Sequence, residues 1–119
     1  MSVEKQAEAA GHTADIRAGK VYLSAALCET YFKGIEAVIV LIRDSCVHVL
    51  PVHQMAAGGC LLKVRNAQGD RVASAPDVFL ANEMGNLEAR DVPARWSTEN
   101  GALILQTTEY ENKVYNMNK

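Results

Sequence analysis

AVIVLIRDSCVHVLPV, residues 37–52, is the stretch on which the architecture turns. Its first seven residues are almost all β-branched or aliphatic, Asp44-Ser45 is a short polar break, and residues 46–52 resume the apolar run as far as Pro51 and Val52. Two such runs about two polar residues predict a β-hairpin, with Pro51 marking an end or an edge. Val38, Ile39, Val40, Leu41 and Ile42 are apolar at both parities, so this strand needs cover on both faces. Either a second copy of the chain or a sheet curled round within one chain would supply it.

Upstream, residues 20–23 form a short strand. Ser24 then suits the N-cap of a helix over 25–33, with Gly34 just beyond it. Residues 1–18, rich in Ala, Glu and Gln near their start, lack large apolar groups to dock them, so they are expected to be a flexible N-terminal arm. Downstream, residues 53–59 are a loop, and residues 60–65 pair with 71–74 across a turn in which Gly69 supplies positive φ. Pro76 opens a second helix, over 76–84. Residues 86–94 mix charges without clear periodicity and are expected to be a surface loop. Residues 95–99 and 102–107 flank Asn100-Gly101, the strongest short hairpin signal in the chain. This order predicts an α+β fold: a mainly antiparallel sheet or small barrel of three hairpins with two short helices, as one domain over residues 19–119.

Charge excludes bulk polyanion binding. Twelve basic and fourteen acidic residues in 119 leave a net charge of -2, spread evenly along the chain, so any anion site must be a local cluster. The opening MSVEKQAEAAG lacks an apolar leader core, and the apolar run over 37–42 is far shorter than the roughly 20 residues of a membrane helix. A cytoplasmic protein with reduced thiols and no membrane contact is therefore expected.

Three constellations carry chemistry. Lys63 and Arg65 alternate with Leu62 and Val64, so both project from one face of a strand, and Arg71 opens the opposing strand. Such cations grip phosphate or an acidic partner, or else form a solvated outer face beside Asp70. Cys46, His48, His53 and Cys60 are types that bind zinc, and the first two share a strand face, although that spacing matches no usual ligand pattern. The same residues could pair a thiol nucleophile with an imidazole base, but no third, orienting group is apparent. The chain contains no G-x-S-x-G, H-E-x-x-H, Walker loop or G-x-G-x-x-G. No cofactor is expected, and binding is favoured over catalysis.

Residues 19–27, GKVYLSAAL, followed by residues 38–51, VIVLIRDSCVHVLP, resemble the swapped-hairpin domain of the AbrB, MazE and MraZ group. That resemblance implies an interlocked homodimer that binds operator DNA through basic residues, as a transcriptional regulator or antitoxin. It implies Lys20 and Arg43 as contacts, alongside Lys63, Arg65 and Arg71. Ser24 stands where the group usually has proline, and Glu29 where a basic residue is common. The rival expectations are an accessory protein that docks on another protein, and a small metal- or thiol-dependent enzyme.

Overall fold

The computed structural model describes residues 12–53 and 59–107. Eight strands are present: β1 (Thr13–Arg17), β2 (Lys20–Leu23), β3 (Ala37–Arg43), β4 (Cys46–Val52), β5 (Cys60–Val64), β6 (Arg71–Ser74), β7 (Glu88–Ser97) and β8 (Ala102–Leu105). Two short helices, α1 (Ala25–Tyr31) and α2 (Pro76–Ala81), follow β2 and β6. The strands close into an antiparallel barrel in the order β1-β2-β6-β5-β3-β4-β8-β7, with β1 pairing back to β7. None of the helices among the described residues is long and apolar enough to cross a membrane.

This corrects the expected α+β fold of three hairpins. Strands take 51% and helices 14% of the described residues, and four hairpins build a closed eight-stranded barrel. The fourth hairpin joins β1 to β2 through Ala18 (φ 52°) and Gly19 (φ 73°), a two-residue turn with both central residues left-handed. Residues 13–17, expected as part of an arm, are thus a strand; residues 1–11 lie outside the described residues. Residues 88–94, expected as loop, begin the longest strand of the barrel. A register shift against β1 between Ala14 and Ile16, with Asp91 at φ 54°, leaves Arg90 and Asp91 both exposed. Such a bulge breaks the alternation by which a strand is read from sequence.

The barrel interior is filled with side chains, as eight strands allow. Val38 and Val40 of β3 and Val47 and Val49 of β4 point inward, with Ile16, Val21, Leu23, Leu103 and Leu105. Ile39 and Leu41, on the outward face of β3, are half-buried beside their β4 partners Leu50 and His48. Closure within one chain therefore covers the inner face of the doubly apolar strand, and the outer face keeps a partly open apolar surface.

The helices seal opposite ends. α1 starts directly after Leu23, and α2 directly after Ser74, which pairs with Lys20 at the far end of β2. Ser24 caps α1, its hydroxyl accepting from the Leu27 amide at 3.1 Å. Helices of seven and six residues are too short to persist alone and are held by packing. Leu27, Cys28 and Phe32 are buried at the α1 end and Phe79 at the α2 end. Tyr31 stacks on Trp96 with centroids 5.2 Å apart, and Phe32 meets the same indole edge-on at 6.4 Å.

The connectivity repeats itself. β1-β2-α1-β3-β4 and β5-β6-α2-β7-β8 have the same element order, and exchanging the two halves maps the barrel's strand order onto itself. Each half contributes two hairpins, and each hairpin lies between two from the other half.

Candidate nucleic-acid interface

The half of the barrel built from β1, β2, β6 and β5 presents a cationic outer wall. Side chains alternate along each strand, so once Val21 and Leu23 are committed inward, Lys20 and Tyr22 face out. The tight β1–β2 turn makes Arg17 the direct partner of Lys20. Tyr22 lies beside Val72 of β6, and Val72 beside Lys63 of β5. Arg65 follows β5 directly. Tyr22 and Val72 thus form an apolar pair that ends on Lys63, and Leu61, two residues before Lys63 on β5, is exposed.

Tyr22 is the centre of this arrangement. The Arg17 guanidinium carbon lies over its ring at 4.3 Å from the centroid, and that of Arg65 at 4.8 Å. Both distances fall well within the range of cation–π attraction. The two guanidinium groups are thus at most about 9 Å apart, anchored on one half-buried ring. Arg17 ends β1, and Arg65 follows β5, the strand that replaces β1 when the halves are exchanged. Each half supplies one arginine from an equivalent place.

A turn fixes Arg65. Its amide donates to the Asp70 carbonyl at 2.8 Å, and Asn66 Oδ1 accepts from the Gln68 and Asp70 amides, each at 3.1 Å. The Asp70 carboxylate accepts from Asn66 Nδ2 at 2.9 Å and from the Ala25 amide at 2.7 Å, tying the turn to the start of α1. The Asn66 side-chain hydrogen bond, then that of the Ala25 amide, hold the Asp70 carboxyl below the usual range, and Arg65 adds a smaller pull. Asp15, beside Tyr22, accepts from the Asp91 amide at 2.9 Å. Among the described residues none of Arg17, Lys20, Lys63 and Arg65 has a carboxylate within ion-pair distance.

No protein-family model, curated protein or solved structure matches the chain.

The other expected residues lie elsewhere. Arg71 does not join Lys63 and Arg65: it pairs with inward-facing Leu23, and its guanidinium donates to the Ile35 carbonyl at 2.8 Å. Arg43 is exposed beside the β3–β4 turn, away from the wall. Cys46, His48, His53 and Cys60 do not converge. Cys46 and His48 share the outer face of β4, whereas Cys60 packs against the core opposite Val38, and His53 is exposed beyond β4. Among the described residues no group of three or more His, Cys, Asp or Glu is placed to hold a metal. Burial, and then the charge of Arg43, push the His48 pKa down, while burial pushes the Cys28 and Cys60 thiols up, away from the reactive thiolate.

Arg17 lies within the residues expected as an arm and instead ends β1. The alternation Thr13-Ala14-Asp15-Ile16-Arg17 was the signal available for it.

Proposed function

We propose that this protein is a non-enzymatic nucleic-acid binder that grips phosphates with Arg17, Lys20, Lys63 and Arg65, in the regulatory or antitoxin role that the swapped-hairpin resemblance implies. One observation carries this reading: Arg17, Lys20, Lys63 and Arg65, none with a carboxylate within ion-pair distance among the described residues, share one wall of an otherwise slightly acidic molecule. Local clustering of this kind creates a phosphate-directed field that net charge conceals.

Titration of a fluorescent oligonucleotide followed by anisotropy tests the reading. Four phosphate contacts give a slope of about −3 for log K against log salt, so affinity should fall roughly 50- to 150-fold between about 50 and 200 mM. Reversing Lys20 and Lys63 to glutamate should weaken binding and flatten that slope. Salt-independent binding, or none at low salt, refutes it.

The half-open apolar surface of Ile39, Leu41 and Leu50 favours a second reading, in which another protein or a second copy docks there. Sedimentation equilibrium separates the two: a stable dimer dissociated by Leu41→Glu, with no oligonucleotide binding, would select it.

A further inference from the structure

We infer that the nucleic acid this wall takes is single-stranded, with at least one base stacked on the cluster of Arg17, Tyr22 and Arg65. This rests on the phosphate-binding reading above and narrows its ligand. A surface made for duplex backbone needs cations and polar donors, because a duplex turns phosphate and sugar outward and hides its base faces within the stack. This wall is built differently. Tyr22 lies beside Val72, Leu61 is exposed on β5, and cations border this apolar surface: Arg17 and Arg65 over the ring, Lys20 two residues before it on β2, and Lys63 beside Val72. A single strand supplies both complements: unstacked bases for the apolar surface and phosphates for the cations.

The cluster supplies a stacking surface already assembled. Arg17 and Arg65 both lie over the Tyr22 ring, so a base can be received on a guanidinium, or on the ring once an arginine turns to a phosphate. The rigid turn of Asn66 and Asp70 holds the Arg65 backbone in place during that exchange.

The test uses the full chain with two probes, oligothymidylate of about 20 nucleotides and a mixed-sequence duplex of the same length, each titrated by anisotropy at low and moderate salt. The single strand should bind at least tenfold more tightly. Tyr22→Ala should weaken it roughly tenfold or more while changing duplex affinity less than threefold. The double variant Arg17→Lys with Arg65→Lys keeps the charge but removes the planar groups, and should follow Tyr22→Ala for the single strand. Circular dichroism of each variant establishes that the barrel remains folded. A duplex bound as tightly as the single strand, or a folded Tyr22→Ala protein with unchanged single-strand affinity, overturns the inference and leaves phosphate binding standing. Failure of both probes to bind at low salt removes the parent reading as well.

Discussion

Replacing Gly19 with alanine tests the closure of the barrel at its least expected joint. The turn from β1 to β2 runs against the start of α2, and the Gly19 carbonyl accepts from the Ala75 amide at 2.9 Å. A Cβ at position 19 would stand 2.6 Å from Pro76 Cα and 3.0 Å from Pro76 Cβ, with the backbone at φ 73°. The left-handed conformation costs an L-residue about 1–2 kcal/mol. The contact adds an overpacking term of about 1–3 kcal/mol, because a proline backbone cannot swing aside as a flexible side chain would. The expected loss is about 2–5 kcal/mol, or roughly 10–20 °C in melting temperature for a domain of this size. Gly101→Ala is the matched control: φ is 60° there and nothing lies within 4 Å of the new Cβ, so only the backbone term of about 1–2 kcal/mol applies. Urea unfolding by tryptophan fluorescence and circular dichroism measures both. Stabilities of the two variants agreeing within about 0.5 kcal/mol would mean that the first hairpin does not abut α2, and the argument for a chain closed through β1 would fail.

Other perturbations report on the plugs and on the residues around the wall. Phe79→Ala should cost about 3–5 kcal/mol by emptying the α2 end of the core, whereas Leu80→Ala, at 71% exposure, should stay within about 0.5 kcal/mol of the parent in the same urea titration. Arg71→Ala should destabilise by about 1–3 kcal/mol through loss of its bond to the Ile35 carbonyl, yet leave oligonucleotide affinity unchanged; a loss of affinity without a loss of stability would return Arg71 to the binding surface. Because the folded Asp70 carboxyl titrates below its ordinary value near 3.9, its contribution is fully present above that pH and disappears as pH falls through the lower folded value. Urea midpoints between about pH 6 and pH 2 should fall less steeply for Asp70→Asn than for the parent, and parallel curves would contradict this.

Much of the sheet could be read from residues alone. Arg43-Asp44-Ser45-Cys46 announced its hairpin because two polar residues divide two long β-branched runs; Asn100-Gly101 marked the place of another, although that turn spans residues 98–101 and only Gly101 takes positive φ. Ser24 marked the α1 cap for the reason that a hydroxyl there can accept from Leu27. What escaped were elements that turn few large apolar residues inward. β1 turns in only Ala14 and Ile16, and the first half of β7 only Ala89 and Val92 across a bulge, so neither carries the large apolar alternation from which a strand is inferred. Their pairing with each other closes the barrel. Without β1 and the first half of β7 the sheet or small barrel has three hairpins instead of four, and Arg17 is hidden. Lys63 and Arg65 were legible as cations on one face by parity, and Lys20 only through the resemblance, but parity within one strand cannot say which strands become neighbours. Arg71 was misplaced for the same reason, since its direction is set by its pairing with Leu23.

The exchange of strands between the two halves has a consequence for how the molecule comes into being. No hairpin finds its lateral partners within its own half, so a fragment ending at residue 53 would own four strands with no adjoining sheet for them to complete. Folding must wait until distant parts of the polypeptide have met, which makes it slow for its size. Two molecules caught at that stage could each lend a half to the other, yielding a linked pair with two complete barrels and the same contacts throughout.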